Sequence, residues 1–240
     1  MTKKPSKDYF QIKEKKKIAS EVFDKETLLT LSKIMKKGIV ETIDYPVSTG
    51  KEANVFRATA QDGKYVAIKI YKIETTHFFK RKEYIEGDPR FEGIIKDEKG
   101  IILAFARKEY KNLELCENAG VDSPIPLFLE KNVVVMSFLG EEGLAYPTLH
   151  MVGPQNNNDL DDILDNIKKM YTAGLVHADI SEYNIMMAKK PYFIDFGQGV
   201  ILKHPKAQEF LKRDVETILK YFAKHGDIRD PKKVLEWIKK

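Results

Sequence analysis

The sequence predicts an α+β fold in two lobes, a small β-rich one followed by a helical one, with the cleft between them as the ligand site. Three observations carry this. Alternating β-branched and apolar residues are concentrated early, in "VETIDYPVSTGKEANVFRAT" and "KYVAIKIYKI". Helical periodicity dominates the second half. The polar residues able to do chemistry fall in a loop and hairpin, "LVHADISEYNIMM" and "PYFIDFGQGV", set between helices. With 240 residues, 42% of them hydrophobic, the chain can bury a core large enough for such a pair of lobes.

Taken in order, residues 1–41 read as a basic arm and a helix. Lys3, Lys4, Lys7, Lys13, Lys15, Lys16 and Lys17 make the first seventeen residues basic, either as a solvated arm or as a contact for RNA phosphates. "DKETLLTLSKIMKKG" has apolar residues at Leu28, Leu31 (or Leu29) and Met35, with Gly38 as the stop. Residues 42–139 form the first lobe. Its opening strands turn at Gly50 and at Asp62-Gly63. The segment 72–99 mixes aromatics, charges, Gly and Pro without a period, which predicts a mobile insertion with no packed element. A helix follows in "ILAFARKEYKNLELCENAG", and "NVVVMSFLG" reads as a short buried strand. Residues 140–240 form the helical lobe. "NNNDLDDILDNIKKMYTAG" has an Asn/Asp start, apolar residues at Leu160, Ile163, Leu164, Ile167 and Tyr171, and a closing glycine. "HPKAQEFLKRDVETILKYFAKHG" and "PKKVLEWIKK" read as two final helices.

Bulk properties exclude several classes. A single cysteine, Cys116, rules out an internal disulfide framework. The N-terminus lacks an apolar signal region, and no run of about 18 apolar residues occurs, so a cytoplasmic protein without a membrane role is expected. The net charge of +5 comes from 41 basic against 36 acidic residues, too even a balance to identify a polyanionic partner.

The chemistry is carried by residues in a fixed order. "GLVHADISEYNIMM" places Asp179 two residues after His177 and Asn184 five after Asp179. That is the spacing of a phosphoryl-transfer loop, in which the aspartate receives the acceptor proton and the asparagine holds a metal ion. "STGKEANV" is a strand-to-strand turn where Ser48, Thr49, Gly50, Lys51 and Ala53 let backbone amides approach phosphates. Lys69 lies inside the apolar strand "VAIKIY", where an ammonium needs an anionic partner. Glu109, on the helix after the strands, is preferred over Glu83 as that partner. Asp195 ends the strand of "YFIDFGQG" as a second metal-binding carboxylate. Each match is weak alone; Lys69, Glu109, Asp179, Asn184 and Asp195 in this one order point to ATP-dependent phosphoryl transfer.

The segments "STGKEANVF", "VAIKIY", "EYIEGDPRF", "ARKEYKNL", "VVVMSFLG", "LVHADISEYN", "IDFGQGV" and "HPKAQEFLKRD" resemble the RIO atypical serine/threonine protein kinases, specifically the first subfamily, which lacks a winged-helix domain. The resemblance implies a protein-kinase-like bilobal fold with ATP in the cleft and a truncated helical C-lobe. It implies ATP and Mg2+ (or Mn2+) as cofactors, with the Ser137 carbonyl and Leu139 amide at the adenine edge. It further implies work in late maturation of the small ribosomal subunit, with the precursor particle as partner, and an aspartyl-phosphate intermediate at Asp195. Two departures from ordinary protein kinases stand out: Ala178 replaces the arginine of His-Arg-Asp, and Ser181 stands where a lysine is usual. With no Ala-Pro-Glu motif after Asp-Phe-Gly and a truncated helical lobe, ATP hydrolysis or autophosphorylation is expected beside protein phosphorylation. The alternatives are a small-molecule phosphotransferase of the choline or aminoglycoside kinase type and a nucleotide-gated ribosomal RNA binding module.

Overall fold

The computed structural model describes residues 23–73, 83–91 and 97–240; the basic arm of the first seventeen residues lies outside them. Helix α1, Lys25–Lys36, begins where the Asp24 carboxylate accepts the Thr27 N–H at 2.8 Å. Gly38, with φ +74°, follows its end in the left-handed conformation that glycine adopts without a Cβ penalty. The buried face differs from the one expected. Thr27, Thr30, Leu31 and Ile34 pack inward, whereas Leu29 and Met35 are exposed.

Strands β1 (Thr42–Thr49), β2 (Ala53–Thr59), β3 (Tyr65–Tyr71), β4 (Pro126–Glu130) and β5 (Val133–Ser137) form one antiparallel sheet in the order β1-β2-β3-β5-β4. The sequence reading missed β4, because "PIPLFLE" opens on prolines that hide the alternation; Pro126 sits at the first position of an edge strand, where its missing N–H is tolerated. Period-two alternation in β3 then separates structure from chemistry. Val66, Ile68 and Ile70 join Leu31, Ile34, Phe56 and Val135 in a core beneath α1. Ala67 and Tyr71 face the other way, into the main core beside helix α2, Glu98–Asn118. Lys69 shares that second face by register.

The expectation of an unpacked insertion at 72–99 is corrected in part. Residues 83–91 end in a 3-10 turn, Pro89–Phe91, and bury Tyr84, Ile85, Asp88 and Phe91. Their aperiodic sequence folds by docking instead of by local propensity. The Tyr84 ring stacks on Phe210 with centroids 5.0 Å apart. The His204 Nε2 faces the Glu83 and Glu86 carbonyls at 2.9 and 3.0 Å. Lys206 pairs with Glu83 at 2.7 Å, which removes Glu83 as a partner for Lys69. Residues 98 and 99 already belong to α2.

The second lobe starts with a short hairpin, β6 (Gly140–Glu141) and β7 (Leu144–Ala145), and a single turn, α3 (Leu149–Val152). Helix α4, Asp159–Thr172, buries Leu160, Ile163, Leu164, Ile167 and Met170. Four short strands carry the polar loops: β8 (Leu175–Val176), β9 (Ile185–Met187), β10 (Pro191–Phe193) and β11 (Val200–Ile201), paired β8 with β11 and β9 with β10. Helix α5, Ala207–Ala223, and helix α6, Pro231–Ile238, complete the lobe. No helix among the described residues is long and apolar enough to cross a membrane.

Candidate active site

Lys69 is the centre of the site. Its Nζ donates to Glu109 Oε1 at 2.7 Å and to Asp195 Oδ1 at 2.8 Å, so one ammonium bridges two carboxylates. Burial works against the Lys69 charge, but Asp195 and Glu109 outweigh it and hold the pKa above its ordinary value. Burial pushes the Glu109 carboxyl up, opposed by the Lys69 ammonium and by the Tyr71 hydroxyl, which donates to Oε2 at 2.6 Å. Asp195 differs from Glu109 in access: its side chain is 44% exposed, against 2%. The inner pair is therefore a fixed strut, and Asp195 is the member open to a ligand.

Asp179 lies in the loop between β8 and β9. Its Oδ2 accepts Gln198 Nε2 at 2.7 Å and Asn184 Nδ2 at 3.2 Å, and its carbonyl accepts Asn184 Nδ2 at 2.8 Å. The loop is held from beneath. Ala178 has φ +64°, a strained conformation for a residue with a Cβ. Asp214 of α5 accepts the Ala178 and Ile180 N–H groups at 2.7 and 3.1 Å, while the Arg213 guanidinium donates to the Ala178 carbonyl. Burial pushes the Asp214 carboxyl up to about 7, against the pull of those two N–H donors. An arginine thus approaches Ala178 from α5, although the chain lacks one at position 178. His177 is buried, its Nε2 3.1 Å from the Ile194 carbonyl, and burial lowers its pKa to about 4, so the ring is a neutral strut between the two loops.

The loop Asp195–Gly199 is clamped onto α2. Asn112 Nδ2 donates to the Phe196 and Gly199 carbonyls, both at 2.8 Å, and Lys108 Nζ donates to the Gln198 carbonyl at 3.0 Å and the Tyr84 carbonyl at 2.5 Å. Arg90 closes the circuit: it donates to Asn112 Oδ1 at 2.8 Å and chelates the buried Asp88 carboxylate. Gly197 is required where it is, because a Cβ there would lie 2.9 Å from the Tyr71 hydroxyl.

Lys108 makes a testable pH dependence. Burial lowers its pKa to about 7, so folded Lys108 is neutral above that pH while the unfolded chain keeps the proton up to 10.5. Within that window the unfolded state binds more protons, and stability rises with pH. Relative to Lys108→Met, the wild type should gain stability on going from pH 7 to 9, by at most about 1.4 kcal/mol per pH unit. Urea midpoints measured at pH 7, 8 and 9 check this; parallel curves for the two proteins would contradict it.

The remaining expected site residues lie on the turn from β1 to β2 and at or just past the end of β5. Ser48 and Thr49 end β1, and Gly50 and Lys51 form the exposed turn to Ala53 at the start of β2. Gly50 N–H donates to the Ala53 carbonyl at 2.9 Å, and Lys72 Nζ donates to the Gly50 carbonyl at 2.6 Å, which closes the turn. Ser137 ends β5, and Leu139 lies on the link from β5 to β6. The Ser137 hydroxyl accepts the Ile125 N–H at 2.8 Å, and the Leu139 carbonyl accepts the Tyr146 N–H at 3.1 Å. Sequence reasoning did not single out Tyr71, Lys108, Asn112, Gln198, Arg213 or Asp214. A signal existed for three of them: Lys108, Asn112 and Asp214 are polar residues on the apolar faces of α2 and α5.

Comparison with known proteins identifies the family and the fold. The model of the RIO domain matches residues 54–234. The Rio1 RIO-type serine/threonine-protein kinase of Haloferax volcanii is 37% identical over 224 residues, 92% of this chain and 77% of that protein. Rio1 of Thermoplasma acidophilum is 44% identical over 186 residues, 78% of this chain and 99% of that protein. The Chaetomium thermophilum Rio2 kinase, solved as an ADP/Mg2+-phosphoaspartate complex, superposes with a TM-score of 0.65 at 21% identity, over 88% of this chain and 66% of that one. The strut of Lys69 and Glu109 and the Asp179 and Asp195 loops thus sit in a kinase-like fold, and the chain belongs to the RIO family, with the Rio1-type serine/threonine kinases as its relatives.

Proposed function

We propose that this chain transfers the γ-phosphoryl group of ATP, as a serine/threonine phosphotransferase that also hydrolyses ATP. The observation that carries the reading is the Lys69 ammonium held between a buried Glu109 and an accessible Asp195. Two carboxylates on one ammonium leave the site net negative, and an exposed Asp195 can exchange its partner for a cation without disturbing the inner pair. In the bound state Lys69, oriented by Glu109 and Tyr71, contacts the α/β-phosphates. The turn Ser48–Ala53 covers the triphosphate, and Ser137 and Leu139 take the adenine edge. Asp179 accepts the proton of the attacking hydroxyl or water.

The donor set suits magnesium. Asp195 and Asn184 offer hard oxygen ligands, and Asn184 already commits its nitrogen to Asp179, which leaves its carboxamide oxygen for a metal. Among the described residues no group of three or more His, Cys, Asp or Glu side chains converges to hold a metal alone. In this reading phosphate oxygens and water complete the coordination, and metal and nucleotide bind together. When bound, the metal offsets negative charge on the triphosphate. Calorimetry should show ATP binding that depends on Mg2+ and is lost in Lys69→Met. Tight ATP binding that ignores both would refute the reading.

ATP hydrolysis is proposed because only Val200 to Lys206 separate the Asp195 loop from α5, too little chain for an extended activation segment, and residues 83–91 cover the adjoining face of α5. The Rio2 complex with phosphoaspartate adds support for a carboxylate as first acceptor, here Asp195. The proposed setting is the precursor of the small ribosomal subunit in the cytoplasm. Its support is the resemblance of the quoted segments and the seven lysines of the first seventeen residues. RNA and proteins recovered with a tagged chain would test it.

A further inference from the structure

Gln198 belongs to no expected catalytic role, yet its side chain reaches the group proposed as base. We propose that Gln198 is a positioning residue for phosphoryl transfer, its carboxamide holding the Asp179 carboxylate in the direction from which it receives the acceptor proton. The inference rests on the reading of Asp179 as base.

Three observations support it. The first is the contact itself. Gln198 Nε2 lies 2.7 Å from Asp179 Oδ2, shorter than the 3.2 Å from Asn184 Nδ2 to the same oxygen. Two donors converging on one oxygen fix the carboxylate rotamer. The Gln198 contact matters more to that rotamer, because Asn184 spends its better hydrogen bond, at 2.8 Å, on the Asp179 backbone carbonyl.

The second is how firmly Gln198 is held. The residue is 5% exposed. Its carbonyl is gripped by Lys108, and the carbonyls of Phe196 and Gly199 on either side by Asn112. Gly199 permits this approach, since a Cβ there would lie 2.8 Å from Asn112 Nδ2. A carboxamide on so constrained a backbone is preorganised, and preorganisation is what a positioning residue contributes.

The third is charge. Arg213 and Asp214 of α5 already act electrostatically on Asp179, with opposite signs. A neutral donor at 198 orients the base without adding a further cation that would weaken it as a proton acceptor. The same α2 clamp also fixes residues 83–91 through the Tyr84 carbonyl, so docking of that segment and alignment of Asp179 share Lys108.

The test is a double-mutant cycle on the full chain with ATP and Mg2+, combining Gln198→Met, which keeps length but removes the donor, with Asp179→Ala. Gln198→Met alone should lower kcat about tenfold to a hundredfold, the range a hydrogen bond to a charged group supports, while KM for ATP moves less than about threefold. In the Asp179→Ala background the same change should alter the residual rate less than about twofold. Equal factors in both backgrounds, or a rise in KM with kcat unchanged, would overturn the proposal. Thermal unfolding checks that each variant is folded. If Gln198→Met is not, Gln198→Glu carries the same cycle: its carboxylate opposes Asp179, so the loss should again be larger with Asp179 present. A wild-type chain without Mg2+-dependent ATP turnover overturns the functional reading and this inference with it; turnover in the wild type with equal factors in the cycle overturns this inference alone.

Discussion

Replacing Asp179 by Asn should lower ATP turnover by about two orders of magnitude or more while leaving ATP affinity within about tenfold. The structure separates the two quantities. Lys69, which would meet the phosphates, is held by Glu109 and Asp195, whereas Asp179 is bonded to Asn184 of its own loop and to Gln198. An asparagine has nearly the same shape, and its carbonyl oxygen can still accept from Gln198 and Asn184 if the amide is turned that way. The backbone clamps on Ala178 and Ile180 come from Asp214 and do not involve the substituted side chain. What is lost is a group able to take a proton in the transition state, and a contact used mainly there appears in kcat and not in binding. Calorimetric titration and steady-state turnover on the same preparation measure both. Equal losses in the two would assign Asp179 a purely structural part.

The order of elements and the polar residues of the site were legible in the sequence for one reason: each left a local mark. Lys69 interrupts an apolar strand, Asn184 follows Asp179 at a fixed interval, and Asp195 stands between an apolar run, whose strand ends at Phe193, and Phe-Gly. The partner of Lys69 was legible less directly, from the position of Glu109 on a helix, and the 2.7 Å contact agrees. What stayed hidden depends on tertiary context. Residues 83–91 have no period because their burial comes from Phe210, His204 and α2, elements distant in sequence. The α1 face was misread because Thr27 and Thr30 point inward, Thr27 accepting from Asn132 in a buried contact. Threonine carries no apolar signal, so a buried polar pair displaced the expected stripe. Gln198 follows Asp-Phe-Gly in sequence, and nothing in its neighbours announces that its side chain turns back to Asp179.

A phosphoryl group should be found transiently on Asp195 during turnover. In that course an Asp195 carboxylate oxygen attacks the γ-phosphorus, the bond to the β,γ-bridging oxygen breaks, and ADP leaves with the electron pair. Water then cleaves the acyl phosphate, Asp179 taking its proton and inorganic phosphate departing, so atoms and charge balance across two steps. The geometry allows both carboxylates their parts. Asp195 has φ +65°, an uncommon conformation for a residue with a Cβ, and its side chain is 44% exposed with Oδ1 already beside Lys69. Lys69 can therefore accompany the phosphoryl group from nucleotide to carboxylate, neutralising charge on the way. The rival assignment makes Asp195 solely a metal ligand, and the two differ in what a quenched reaction contains. With ATP labelled in the γ-position and Mg2+, protein stopped within a single turnover should carry label that hydroxylamine removes, because acyl phosphates are cleaved by it and serine or threonine phosphates are not. Asp195→Asn should abolish that label and lower turnover by at least two orders of magnitude, since one substitution removes acceptor and metal ligand together. Label that resists hydroxylamine at every quench time, in a protein that still turns over ATP, would exclude the intermediate and leave Asp195 with the metal alone.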